Sequence, residues 1–259
     1  MKLSVIGYGH TVCWPEWGFQ TSGEAFQRVY YVLGGTCRCT IYGRTFPLKK
    51  GHLYVLPLHV PYAMEHDPQD PLYVLWQHVR FFDRDTGPGL VCRPVDEGSA
   101  VWHVLEAMAA LSRGMMVEHA EGSGDLVAGQ LQSLSRSLFT VLECTDPLFV
   151  SLDPRIAQVL RSVAEHPEQH YTVQDLAQTA KLERSHFSRL FRAQLRVPAQ
   201  VFLIRARLDY AAQILMREGS VGEAAAAAGY ADAKAFSRAF STEFGISPAQ
   251  YRKYHVLQP

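Results

Sequence analysis

The stretch SVGEAAAAAGYADAKAFSRAFSTEFG, Ser220 to Gly245, repeats the layout of an earlier one, TVQDLAQTAKLERSHFSRLFRAQL, Thr172 to Leu195. Aligning Phe187-Ser188-Arg189 with Phe236-Ser237-Arg238 also aligns Phe191 with Phe240. In each copy a short Ala-containing helix meets a tight turn, and a second helix follows. Gly229 lies in the second turn, where the left-handed backbone that ends a helix suits glycine. The pattern is a helix-turn-helix, written twice. In the first copy Phe187, Leu190 and Phe191 share one helical face, and Ser185, Ser188, Arg189 and Arg192 share another. In the second, Phe236, Ala239 and Phe240 face inward, with Lys234, Ser237, Arg238 and Ser241 outward. Ser185 is expected to start the first of these helices and Asp232 to cap the second. An outward stripe of this size and chemistry fits a DNA major groove. Arginine pairs bidentately with guanine, and serine serves bases or phosphates.

Between the copies, Ala199 to Arg217 reads as one apolar-periodic helix. At 1.5 Å per residue it spans roughly 28 Å. A stiff connector of that length can hold two reading helices near one DNA turn, about 34 Å, apart.

Residues from about 155 to 254 resemble the DNA-binding domain of the AraC/XylS family of bacterial transcription regulators. The resemblance rests on Gly229, Tyr230, Asp232, Phe236, Ser237, Arg238, Phe240, Phe244, Gly245, Pro248, Tyr251 and Arg252. In the connector it rests on Pro198, Arg207, Leu208 and Ala211. It implies a seven-helix fold that reads DNA through Ser185, Ser188 and Arg189 in one helix and Ala233, Lys234, Ser237 and Arg238 in the other. Arg192, Arg196, Arg205 and Arg252 are expected on phosphates. The chain departs from the family pattern at Arg196, where glycine is usual, and at Ala224, where isoleucine is usual.

Toward the N-terminus the period changes from helical to alternating. Strands are expected at Arg28–Leu33, Thr36–Tyr42, Thr45–Leu48, Leu53–Leu56 and Leu72–Phe82, with Gly or Pro between them. Short strands so spaced indicate an antiparallel sandwich or barrel. Alternation places Leu72, Val74, Trp76 and His78 on one face of the last strand, and Tyr73, Leu75 and Gln77 on the other. Two amphipathic helices follow, with Val101, Leu105, Met108 and Leu111 in one and Leu126 to Leu142 in the other. The Gly/Ser turn between them, at 121–124, makes a helical hairpin. The expected class is α+β in two domains: an antiparallel, cupin-like β-barrel with a helical hairpin, then an all-α part with two helix-turn-helix motifs. The boundaries are 1–98 for the barrel and 99–145 for the hairpin, expected to dimerise. They continue with 146–154 for a linker carrying two Asp-Pro steps, and 155–259 for the reading domain.

Residues from about 15 to 95 resemble, more loosely, the sensor domain of the same family, on Gly43-Arg44, Pro47 to Pro57 and the Trp76 strand. That resemblance implies a small effector, often a sugar, inside the barrel. Aromatic faces stack on sugar rings and a few polar groups orient them. The candidates are Trp14, Trp17, Tyr30, Tyr54, Trp76 and His78. A metal-dependent cupin enzyme with an appended interaction module is the alternative. His52, His59, His66 and His78 would be its ligands, but none makes the His-x-His pair such a site needs. No metal, cofactor or catalytic residue is expected.

The chain of 259 residues has 25 basic and 25 acidic side chains, so its formal net charge is zero. That balance excludes a coat-like, strongly basic nucleic-acid binder. It hides an asymmetry: residues 1–151 carry 11 Lys and Arg against 15 Asp and Glu, and residues 152–259 carry 14 against 10. An acidic sensor joined to a mildly basic reader fits a partner set of double-stranded operator DNA, a small effector and a second copy of the chain. Cys13, Cys37, Cys39, Cys92 and Cys144 form no CxxC pair and read as free thiols of a reducing compartment. No targeting segment or membrane span is visible, so a cytoplasmic protein is expected.

Overall fold

The computed structural model describes residues 1–24, 26–117, 126–145, 148–217, 219–244 and 246–256. The chain divides into two compact units, Met1–Ser151 and Leu152–Pro259. No helix among the described residues is long and apolar enough to cross a membrane. The Gly/Ser turn expected at 121–124 lies outside the described residues.

The first unit contains β1 (Leu3–Val12), β2 (Gly18–Thr21), β3 (Gln27–Gly34), β4 (Cys37–Ile41), β5 (Arg44–Leu48), β6 (His52–Val55), β7 (Tyr62–His66), β8 (Tyr73–Phe81), β9 (Arg84–Asp85) and β10 (Val91–Pro94). These are followed by α1 (Ala100–Ser112), β11 (Met116–Val117), α2 (Leu126–Thr145) and β12 (Val150–Ser151). One sheet runs β10-β6-β3-β8-β1-β11 and another β2-β7-β4-β5. All their pairings are antiparallel. The alternation of β8 sorts its side chains as expected. Leu75 and Val79 join Val29, Tyr31, Leu53 and Val55 in a core with Leu105, Met108, Leu131, Leu138 and Phe139 of α1 and α2. Val74 and Trp76 join Tyr30, Tyr54, Cys37, Cys39, Tyr62 and Met64, which come from both sheets, in a second core.

Several strands go beyond the sequence reading, β1 and β7 among them. β1 spans 10 residues and is buried along most of its length, where the sequence showed only a short apolar run broken by Gly and His. The glycine has a partner. Gly9 pairs with Trp76, and a Cβ at Gly9 would stand 2.4 Å from the indole Nε1. β7 forms amid the prolines because its edges pair with β2 and β4.

The segment 146–154, expected as a linker, is pinned over most of its described length. Leu148 is buried with the helix-side core, and the Leu148 and Phe149 N–H groups donate to Glu143 Oε1 at 2.8 and 3.1 Å. Val150 and Ser151 pair with β9. The second Asp-Pro step is a helix start rather than a break. Asp153 caps the next helix and Pro154 is its first residue, a position where a missing N–H costs nothing.

The second unit holds α3 (Pro154–Glu165), α4 (Val173–Thr179), α5 (Arg184–Leu195), α6 (Ala199–Met216), α7 (Val221–Ala227), α8 (Ala233–Phe244) and α9 (Pro248–Val256). The duplication extends to the caps. Thr172 with Asp175 and Ser220 with Glu223 each form a reciprocal capping box, opening α4 and α7, so each short helix has its first orphan N–H groups satisfied. The turns differ, since Ala180 to Glu183 links α4 to α5 while Ala228 to Asp232, one residue longer, links α7 to α8. Gly229 takes φ 78° and Lys181 takes φ 53° in these turns. Ala224, Ala225 and Ala228 are buried against Ala211, Ala212 and Leu215 of α6 and against Phe236 and Phe240 of α8. The small side chains at 224 and 225 therefore let helices approach closely.

Candidate nucleic-acid interface and effector site

α5 and α8 each bury a phenylalanine pair, Phe187 with Phe191 and Phe236 with Phe240, all inaccessible to solvent. The ring centroids in each pair lie 5.4 and 5.5 Å apart. This fixes the rotation of each helix and turns the opposite side outward. Ser185, Arg189 and Arg192 on α5, and Lys234 and Arg238 on α8, are exposed; Ser188 and Ser237 are half-buried. The expected reading faces are thus on the surface of the second unit. Ala233 is exposed beside them.

The start of α5 corrects one expectation. Ser185 lies inside the first turn, and the cap is Glu183, whose Oε2 accepts from the Ser185 N–H (2.8 Å), the His186 N–H (3.2 Å) and the Ser185 hydroxyl. These bonds, with the nearby Arg189 charge, hold the Glu183 carboxyl below its usual range. The Ser188 hydroxyl donates to the Arg184 carbonyl at 2.8 Å. At α8 the expected cap is present: Asp232 accepts from the Lys234 and Ala235 N–H groups at 3.0 and 3.1 Å.

Arg205, expected on a phosphate, is buried in α6, and its Nε lies 3.4 Å from Glu243 Oε1 of α8. It braces α8 instead. A lone cation inside this unit would be costly to desolvate, so the pair holds it there. Arg207 turns inward too, donating to the Tyr171 carbonyl at 2.9 Å. Arg196 and Arg252 are exposed. Arg196 also occupies the glycine position in the glycine conformation, φ 60° and ψ 5°, as the C-cap of α5.

In the first unit the structure brings Tyr30, Tyr54 and Trp76 into one buried core. The His78 ring lies tilted against Trp76 with centroids 4.7 Å apart. Trp17 packs on the edge of that core, against Phe19 and His66. Trp14 is not part of the group, being 47% exposed. The reason is its place just after β1, where the chain leaves the sheet.

Sequence reasoning missed the polar heart of this region. The Arg28 guanidinium forks onto Glu24 through Nε and Nη2 at 2.8 and 2.6 Å. Its Nη1 donates to His78 Nε2 at 2.8 Å and to the Tyr30 hydroxyl at 3.4 Å. The Tyr62 hydroxyl donates to Glu24 Oε2 at 2.5 Å, and the Phe19 ring lies 4.4 Å from the guanidinium carbon. Burial by itself would raise the Glu24 carboxyl, but the adjacent Arg28 charge overrides it and holds the group below its usual range. Burial, then the Glu24 charge, pushes the Tyr62 hydroxyl well up. The available signal was a single charge inside the apolar strand QRVYYVL, with a carboxylate four residues earlier.

The histidines considered as metal ligands engage separate partners. His52 Nδ1 bonds the Lys50 carbonyl, His66 bridges the Pro15 carbonyl and the Leu72 N–H, and His78 takes Arg28. Among the described residues no group of three His, Cys, Asp or Glu is arranged to hold a metal ion. Cys13, Cys37 and Cys39 are buried, and Cys92 and Cys144 exposed. Burial pushes the Cys13 and Cys37 thiols up to about 12 and that of Cys39 up to about 11.

Residues 5–151 match the family described as the AraC-like ligand binding domain, and residues 176–254 match a helix-turn-helix domain family. The RCS-specific HTH-type transcriptional activator RclR of Escherichia coli is 27% identical over 82% of this chain and 78% of its own length. The lactose operon transcription activator of Staphylococcus xylosus is 22% identical over 97% of this chain and 88% of its own. Among solved structures, ToxT of Vibrio cholerae superposes with a TM-score of 0.66 over 99% of this chain and 98% of its own, at 10% identity. ToxT has also been solved with an unsaturated fatty acid bound, TM-score 0.65 and 10% identity over 97% and 94% of the two chains.

Proposed function

The chain belongs to the AraC family of DNA-binding transcription regulators, and on that premise we propose that it is a homodimeric, sequence-specific regulator whose N-terminal unit takes up a small effector. The observation that carries the DNA reading is the duplication. Two helices with the same buried phenylalanine pair each present an exposed arginine at the same helical position, Arg189 and Arg238. Each guanidinium suits guanine O6 and N7, while Ser185, Ser188, Lys234 and Ser237 serve neighbouring base edges and Arg192 a phosphate. Binding sites selected from a randomised duplex pool, then tested at fixed salt, check this. Arg189→Ala and Arg238→Ala should each lower specific affinity about 5- to 150-fold, the worth of one bidentate base contact, and change non-specific affinity far less. Unchanged specific affinity in both variants would mean the reading faces are misassigned.

For the effector, a sugar is the favoured class. Aromatic faces beside directed hydrogen-bonding groups at Tyr30, Trp76, His78, Arg28 and Tyr62 support it, as does the relative named for a lactose operon. The fatty acid in ToxT makes long-chain carboxylates the second class to screen. A ligand that binds only the native protein raises its melting temperature, so a thermal-shift screen of both classes separates them. The apolar face of α2 is spent on the sheet, which leaves Gln130, Ser133, Arg136, Ser137 and Thr140 outward. A dimer seam there would be polar, and sedimentation of an Arg136→Glu variant against the native chain tests it.

A further inference from the structure

α5 and α8, the helices proposed to read DNA, are joined through α6. The N-terminal half of α6 packs on the first motif, with the Phe202 ring 5.3 Å from that of Phe191 on α5. Its C-terminal half, with Leu208, Ala211, Ala212 and Leu215, is buried with α7 and α8. Long helices curve, so a shared helix by itself fixes the angle between two cores poorly. A second connection lies to one side of it. A Cβ on Gly229, in the turn between α7 and α8, would stand 2.7 and 2.8 Å from Cε1 and Nδ1 of His170. The His170 ring thus fills the space that a side chain at 229 would need, and it comes from the segment leading into α4. That segment is anchored. Tyr171 donates its hydroxyl to the Ser162 carbonyl of α3 at 3.1 Å, and its own carbonyl accepts from Arg207 of α6 at 2.9 Å. Thr172, the next residue, belongs to the capping box of α4.

We infer that His170 is a positioning residue for DNA reading: seated on Gly229, its ring sets the separation of α5 and α8, and with it the number of base pairs between the two elements that one chain reads. The first motif shows that backbone conformation alone does not demand glycine at this place. Its matching residue is Lys181, which is also left-handed, with φ 53° against 78° at Gly229. The N–H groups of the two residues donate to the Gln178 and Ala226 carbonyls in the same pattern, both at 2.9 Å. A side chain is therefore accommodated in the first turn, and its absence in the second answers to the ring that rests there. Successive base pairs lie about 3.4 Å apart along the duplex axis and each is turned relative to the last. A lean of the second motif toward the loop, by about one such step, brings α8 against the neighbouring base pair.

The inference rests on α5 and α8 reading DNA, and the experiment separates the two claims. Binding sites are first selected with the full-length native protein. Duplexes carrying the two selected elements at a series of separations are then offered to the native chain, His170→Ala and His170→Phe. His170 is exposed, so the alanine variant opens no cavity in a core, and phenylalanine keeps a flat ring in the same seat. The native protein should prefer one separation over those one base pair longer or shorter by about fivefold or more, the cost of a mismatched pair. His170→Ala should cut that preference to less than about twofold or move it by a base pair, with the base preferences inside each element retained. His170→Phe should keep the native separation. An unchanged separation preference in His170→Ala overturns the inference, since α6 then sets the spacing without the ring. So does its loss in both variants, which would deny the ring its role as a spacer. Loss of the base preferences together with a lower melting temperature overturns it as well, leaving His170 as a support of the fold. A native protein that enriches no sequence overturns the DNA reading itself, a different result from any of these.

Discussion

Single residues decide where this chain tolerates a side chain. Gly9 lies against the Trp76 indole, and a Cβ there would stand 2.4 Å from Nε1. Gly9→Ala should destabilise the first unit by about 1–3 kcal/mol through overpacking, read as a lower denaturation midpoint. Trp76→Phe in the same chain should recover part of that loss, a coupling that a double-mutant cycle measures. This glycine also explains why β1 was hard to read. A glycine-broken apolar run resembles a loop until the partner that requires the gap is known, and that partner is sixty-seven residues away in sequence. The buried Arg28–Glu24 fork was hidden for a similar reason. Its residues lie four apart, but His78 and Tyr62, which give the fork its meaning, arrive from other strands. Local pattern carried Trp76, Phe187 and Phe236 into the interior correctly, because each belongs to a period set by its own element.

Among the elements, the short helices α4 and α7 have most to gain from their ends. Seven residues make barely two turns, too few to hold as isolated helices. Each depends on its capping box and on the helix packed behind it. Thr172→Ala and Ser220→Ala should each cost about 0.5–2 kcal/mol of stability, measured by denaturant unfolding. Both positions lie away from the reading faces, so sequence preference in DNA selection should stay unchanged. The helix-turn-helix units were legible because these signals are local: a cap, an apolar stripe, a turn, a second stripe. The exact start of α5 was not, since glutamate is an uncommon cap and a serine two residues later is a common one. Arg205 illustrates the same limit. Helical period alone marks a charged side chain in α6 as outward, and only the position of Glu243 on α8 shows why it turns in.

At the scale of the molecule, the thiols give a direct check on how the chain is folded. Cys13, Cys37 and Cys39 are sealed in the first unit with their ionisation raised, whereas Cys92 and Cys144 are exposed. Because the thiolate is the reactive form, native protein should show two fast-reacting thiols toward a disulfide exchange reagent, and the other three only on unfolding. Fast reaction at Cys37 or Cys39 would contradict the packing of the inter-sheet core. The charge asymmetry seen in the sequence also takes a place here. The division falls between Ser151 and Leu152, so the acidic excess and the basic excess belong to different units.

The unequal turns of the duplicated motif have a consequence for how one chain sits on DNA. Ala180 to Glu183 and Ala228 to Asp232 differ by a residue, and the helices they lead into are capped by Glu183 in one case and Asp232 in the other, with different exposed side chains behind the caps. The two halves cannot be exchanged by rotation. A duplex engaged by both is therefore read in one sense only, and its mirror arrangement is a different site. This asymmetry is already present within one chain.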